Sequence, residues 1–360
     1  MQCLRESAVR QVLDQAQARL ALEEDILCVL SGGKERGRKE VTGVLEGDLD
    51  GATFGHFRTG WEEEVVMPDR VLDLSLRKRR AHRDEEACDR WPQSPLGEIL
   101  EPGNVSELHL VIGDIEKALS YAERARDLAD RSGDDFRRMV MRTTLADALF
   151  PAGRLFEARA LFEEAEAIQR ELQLEYPLLY SLRGFQYCDL LLGQGAYEEV
   201  RKRAKQTLEW GRQQYPLLTI GLDHLALGRA YLLEAETPRS GDFSQAAEYL
   251  NRAVDGLRKA GEQGFIPRGR IARAALHRVC QTFGLARRDL HEAMAIAKRS
   301  GMGLFEADAH LEYARFSLAM GENAKAREAL STAKGMIEKM GYHRRDTEVA
   351  ALEGMLKGPS

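Results

Sequence analysis

The sequence predicts an all-α chain, a solenoid of about six helix-turn-helix repeats preceded by a mixed or partly disordered N-terminal segment. Three observations carry this expectation. A pair of small residues seven apart recurs as Ala118/Ala125, Ala158/Ala165, Val200/Thr207, Ala246/Ala253, Ala286/Ala293 and Ala326/Ala333, at offsets of 40, 42, 46, 40 and 40 residues. Each pair follows a corner: Gly113-Asp114-Ile115, Gly153-Arg154-Leu155, Gly195-Ala196-Tyr197, Gly241-Asp242-Phe243, a glycine-free Gln281-Thr282-Phe283, and Gly321-Glu322-Asn323. Joints between units also recur, as Arg131-Ser132-Gly133, Lys259-Ala260-Gly261, Arg299-Ser300-Gly301 and Lys339-Met340-Gly341. Residues seven apart share a helix face, where small side chains let two helix backbones approach. Glycine ends a helix in the left-handed conformation, a cation suits the C-terminal dipole, and Asp caps the next helix. One such unit cannot bury its own apolar face, so copies must stack.

Composition agrees with a soluble helical protein. The 360 residues are 44% hydrophobic and 31% charged with only 10 prolines. A net charge of -6 argues against a general nucleic-acid binder, since that class carries a basic surplus. Five cysteines (Cys3, Cys28, Cys88, Cys188, Cys280) are scattered without a C-x-x-C pair, which fits a reducing compartment and argues against a disulfide framework or structural zinc site. No apolar run of 18 or more residues and no cleavable leader stands in the sequence, so the expectation is a cytoplasmic protein without a membrane partner.

Taken in order, residues 3–30 read as one amphipathic helix through Leu4, Val9, Val12, Leu13, Ala16, Leu20, Ile26 and Leu27, stopped by Gly32-Gly33. Residues 31–100 are glycine-rich and charged, without helical period, and complete an N-terminal segment, 1–100, of unassigned fold. Trp91-Pro92 and Ser94-Pro95 mark a linker near 91–103, because proline denies helix hydrogen bonds and restricts its predecessor. The array follows over 101–345. Its first leading helix is short, roughly 104–112, cut off by Pro102-Gly103. No polar N-terminal cap is visible, so residues 1–100 serve as cap or the chain is a piece of a longer array. Met336, Ile337, Met340, Val349, Leu352 and Met355 form a closing helix pair around Gly341-Tyr342, with a tail within 346–360. The fourth repeat carries an insertion, Glu236-Thr237-Pro238-Arg239-Ser240, between its helices.

Leu227-Gly228-Arg229-Ala230-Tyr231, followed by alanines seven apart, resembles the tetratricopeptide repeat family, whose unit places Leu-Gly-x-x-Tyr on its first helix and two small residues on its second. The resemblance covers roughly residues 101–345. The unit here is about 40 residues where that family's is 34, so helices or joints are longer. Only the fourth repeat has the full motif; the second has Leu145-Ala146-x-x-Leu149. The long unit is also similar to the C-terminal sensor arrays of bacterial signal-transduction ATPases, although the chain shows no ATPase module.

The resemblance implies that leading helices line a concave surface on which a protein or peptide partner lies. Counting back six residues from each corner, and twelve in the fourth repeat where the insertion precedes the corner, gives the position facing that surface: Glu107, Asp147, Asp189, Arg229, Ala275 and Arg315. Members that clamp a terminal carboxylate place Asn there, and none stands here. Arg229 and Arg315 suit an acidic segment, and as solvated charges they should tolerate reversal without loss of stability. Asp147, Asp189, Arg229 and Arg315, with Phe185 from the third repeat's aromatic group (Tyr176, Tyr180, Phe185, Tyr187, Trp210), are the candidate contact residues. Tyr187 reads more as core and Phe185 more as interface.

Catalytic and metal signals fail on inspection. Ile26 to Lys39 has glycines and a basic pair like a phosphate loop, but Arg38 and Lys39 stand where Lys and a magnesium-binding hydroxyl are needed. Arg77-Lys78-Arg79-Arg80-Ala81-His82-Arg83 runs at once into Asp84-Glu85-Glu86, which describes a solvated, self-paired helix face. His82, Asp84, Glu86 and Cys88 are metal-capable types close together but common on a solvated helix, and His277 with Cys280, three apart on the fifth repeat's leading helix, reads as packing. The expectation is a non-catalytic binding scaffold or sensor with no cofactor. A nucleotide switch or transcriptional regulator seated in residues 1–100 is the alternative.

Overall fold

A computed structural model describes residues 54–58, 64–68, 95–211, 216–236 and 241–357. The expected helix at 3–30, the phosphate-loop-like stretch and the basic run at 77–83 lie outside these. The described residues fall into two units divided between Gly97 and Glu98. In the first, strands β1 (Phe54–Arg58) and β2 (Glu64–Pro68) pair antiparallel, Phe54 opposite Pro68 and Arg58 opposite Glu64.

The second unit is helical, and its helices come in pairs at the predicted places. They are α1 (Pro95–Ile112) with α2 (Ile115–Ser132), α3 (Asp135–Leu149) with α4 (Leu155–Leu172), and α5 (Ser181–Gly193) with α6 (Tyr197–Trp210). Then come α7 (Leu217–Ala235) with α8 (Ser244–Ala260), α9 (Ile266–Val279) with α10 (Phe283–Ser300), and α11 (Gly303–Ala319) with α12 (Asn323–Met340). A 3-10 turn, His343–Arg345, and α13 (Asp346–Lys357) complete the described residues. This is the all-α solenoid of six repeats that the sequence predicts.

The seam between paired helices is built as the spacing requires. Every alanine of the repeating pair is fully buried, and Val200 and Thr207 stand in for it in the third repeat. In the fourth repeat glycine does the same work. A Cβ on Gly228 would lie 2.6 Å from the Leu250 Cγ and 2.9 Å from its backbone nitrogen, and one on Gly256 would lie 3.3 Å from the Gly221 Cα. Tyr231 of the Leu-Gly-x-x-Tyr motif lies parallel to Tyr249 at 5.6 Å, closing the flank of that pair.

The corners obey the same chemistry. Asp114 caps α2 by accepting from the Lys117 N–H at 3.3 Å. Gly113, Gly153, Gly195, Gly241 and Gly321 all have positive φ, and Gln281 takes the same left-handed position (φ 56) in the glycine-free corner. Thr282 steadies that strained residue, its N–H and its hydroxyl both donating to the His277 carbonyl at 2.8 and 3.2 Å.

The structure corrects the expected start of the array. Helix α1 begins at Pro95 and runs through Pro102, so the latter part of the expected linker is helical and the first leading helix is full length. Proline at that position forfeits one backbone donor in an 18-residue helix. Close packing holds the segment: Pro102 is buried, and a Cβ on Gly103 would touch the Met141 sulfur at 3.0 Å.

Candidate functional site

The leading helices α3, α5, α7, α9 and α11 turn one face toward a common interior, and each contributes a charge to it. Asp189 on α5 is the centre. Its Oδ1 accepts from Arg229 of α7 at 2.6 Å, and its Oδ2 lies 3.1 Å from Arg344 of the closing turn and 3.5 Å from Arg268 of α9. Burial alone would raise this carboxyl, but the guanidinium groups of Arg229, Arg344 and Arg268 hold it well below the usual range. Three cations from three different elements therefore converge on one carboxylate whose side chain is only 4% exposed.

Asp147, one repeat earlier, accepts from the Gln186 amide at 3.0 Å. Enclosure raises its carboxyl to about 6, Arg268 opposing and Asp189 assisting. A second cluster continues the same face. Arg345 grips Asp308 of α11 through two bonds of 2.8 Å and also pairs with Glu348 of α13. Arg315 bridges Glu348 and Glu312, the latter at 3.2 Å, and Arg278 reaches Glu312 at 2.7 Å. Burial would raise Glu348, but Arg345 and Arg315 bring it down to about 2.

Aromatic rings line the same interior. Phe185 is 1% exposed, meets Phe265 edge-on at 6.4 Å and lies under the Arg268 guanidinium. Arg268 also covers Phe305, and Arg344 sits 4.0 Å above the centre of the Phe150 ring. Tyr187, expected in the core, stacks on Phe162 at 4.9 Å. Phe185, expected at an interface, is equally buried, because the face that carries it is closed over by other parts of the chain.

That closure comes from the far end of the array. The backbone N–H of Arg344 donates to the Pro151 carbonyl at 3.2 Å, and a Cβ on Gly153 would lie 3.1 Å from that of His343. Likewise a Cβ on Gly303 would lie 2.5 Å from the Ile112 carbonyl, and one on Gly113 would strike the Met340 sulfur. The first two corners of the array thus rest against its last repeat and closing turn. Asp147, Phe185, Asp189, Arg229 and Arg315 all lie on the inner face, but as paired or packed groups. The expected solvated arginines are corrected accordingly: Arg229 holds the buried Asp189, and Arg315 holds Glu312 and Glu348.

Sequence reasoning missed Arg268, Asp308, Arg344 and Arg345. Arg268 and Asp308 recur at the 40-residue repeat, two helical turns ahead of Ala275 and Arg315, so the period could have found them. Nothing periodic marks Arg344-Arg345, which follows the last joint.

Other candidates resolve into local structure. The His277 Nδ1 lies 3.0 Å from the Thr282 hydroxyl, Cys280 is an exposed free thiol, and burial pushes the Cys188 thiol up to about 12. Among the described residues no three metal-ligating side chains cluster, and no helix is long and apolar enough to cross a membrane.

No protein-family model matches the chain, and no curated protein matches it in sequence. Solved structures do match in fold. A Rap protein complexed with Competence and Sporulation Factor aligns with TM-score 0.53 and 12% identity, over 78% of this chain and 80% of that one. The Cut9-Hcn1 hetero-tetramer of the APC/C aligns at 0.48 and 12%, over 77% of this chain and 45% of that one. A signal-transduction ATPase with a tetratricopeptide repeat sensor, from Pyrococcus horikoshii, aligns at 0.42 and 17%, over 80% of this chain and 44% of that one. The chain spans less than half the length of these last two. With six helix pairs, buried small-residue seams and left-handed corners, its array has the tetratricopeptide-like repeat fold.

Proposed function

We propose that the chain is a non-catalytic scaffold or sensor that binds a protein or peptide partner on the inner face of the array. The state described here is closed. In an opened state Asp147, Phe185, Asp189, Arg229 and Arg315 meet the partner. One observation carries this reading: the inner-face charges are satisfied by residues from repeats far apart in sequence, such as Arg344 on Asp189, and a partner can replace such contacts. The solved Rap protein, similar in fold, is complexed with another factor, which supports the kind of ligand. The 40-residue unit supports a place in a signal-transducing regulator, and the free cysteines a cytoplasmic one.

The test begins with a partner recovered from the native cell on the full chain, followed by calorimetry. Arg344→Ala removes a contact that keeps the array closed and should tighten binding by about tenfold, since less of the protein then sits in the incompetent state. Asp189→Asn should weaken it. Unchanged affinity in both, with binding lost on Phe156→Asp, moves the site to the outer surface where that ring stands 90% exposed, and overturns the reading.

A further inference from the structure

The closing turn shows what chemistry the inner face accepts. Arg344 is held there in four ways at once: its guanidinium nitrogen by the Asp189 carboxylate, its guanidinium carbon over the Phe150 ring, its backbone N–H by the Pro151 carbonyl, and its turn by the close approach at Gly153. Its neighbour Arg345 points to the other end of the array and takes Asp308 through a two-pronged contact. Adjacent arginines thus bridge the third repeat to the sixth.

We propose that this is an arginine-recognition site occupied in cis, and that its partner is a protein segment presenting two adjacent arginines, which displaces the turn at 343–345 and takes its place. The inference rests on the inner-face reading above and names the partner's chemistry. Exchange of one guanidinium for another leaves the buried carboxylates paired throughout, so no uncompensated charge is created. What the partner must overcome is the high effective concentration of the tethered turn, and only a segment with two adjacent arginines replaces both of its contacts, one on Asp189 and one on Asp308. Lysine substitutes less well, because its point charge has no plane to lay on the Phe150 ring and no planar fork to match Asp308.

The test uses the full chain. Arg344→Ala should melt lower than wild type, and acetyl-arginine amide at millimolar concentration should recover about half or more of that loss in a saturable way, as a ligand of the native state does. Acetyl-lysine amide should not, and wild type, with its own arginine in place, should respond to neither. If Arg344→Ala fails to fold, Arg344→Lys carries the same measurement. A peptide of sequence Tyr-His-Arg-Arg-Asp added to wild type should speed hydrogen exchange of the Arg344 amide by about tenfold, and Tyr-His-Ala-Ala-Asp should not, since exchange reports that local opening. Failure of rescue, equal rescue by lysine, or unchanged exchange overturns the proposal. If these arms fail while the recovered partner still depends on Asp189, the arginine inference falls and the inner-face reading stands.

Discussion

Two surfaces of the same helices are built on opposite principles. The seam between paired helices is made of alanine and glycine, buried without a single charge among the repeating pairs, and each unit repeats it with its neighbour. The inner face is made of carboxylates, guanidinium groups and phenyl rings, and its contacts join residues as far apart as Asp189 and Arg344. The seam makes a repeat; the inner face makes the array close. The first depends on shape and tolerates no added volume, whereas the second depends on charge pairing and tolerates no missing partner.

The largest effect should come from the inner face. Asp189→Ala removes the one carboxylate on which Arg229, Arg268 and Arg344 converge and leaves these cations without it in a water-poor interior. Breaking a buried pair from one side costs about 3–5 kcal/mol. Chemical denaturation of the variant should show a loss of that order. A loss below about 1 kcal/mol, the range of exposed pairs, would mean that water reaches the cluster and that the array is open in solution.

Seam variants come next. Ala253 and Ala293 are fully buried at the repeating position, so Ala253→Leu or Ala293→Leu should each cost about 1–3 kcal/mol by overpacking. Gly228→Ala belongs with them, since its methyl would press on the Leu250 backbone nitrogen, a group that cannot turn aside. Thermal melts of the three should fall in parallel at low and high salt. A salt-dependent loss would show that the seam and the inner face do not act separately.

The same contrast explains what could be read in advance. Ala118 to Ala333, the corner glycines and even the unusual Gln281 corner follow from nearest-neighbour geometry, which repeats along the chain and so prints itself on the sequence as a period. The ladder through Asp147, Asp189, Arg229 and Arg315 was legible for the same reason. That the ladder is covered was not. Its cover comes from Arg344 and Arg345, which occur once, and from the approach of Gly113 and Gly303, which depends on curvature accumulated over the whole array. Pro102 misled in the other direction: local propensity forbids an interior proline, and packing near Met141 overrode it.

The smallest effect separates the two surfaces by pH. Asp147 titrates at about 6 in the folded chain, raised by burial, against about 3.9 when unfolded. Between these values the unfolded chain has released a proton that the native chain still holds, so rising pH favours unfolding. The stability tied to this group is therefore present below about pH 4 and lost as pH rises through about 6. Asp189, held low by its arginines, contributes in the opposite sense: its stability is present above about pH 4 and lost on acidification. Asp147→Asn keeps an oxygen to accept from Gln186 and removes the titration. Urea midpoints of wild type and variant should converge near pH 4 and separate toward pH 8, with the variant the more stable there. Ala253→Leu should run parallel to wild type across the range, because nothing at the seam titrates. If wild type instead gains on Asp147→Asn as pH rises, the attraction of Arg268 and Arg344 exceeds the cost of burial. Asp147 then belongs with Asp189 as a second ionised anchor of the closed array.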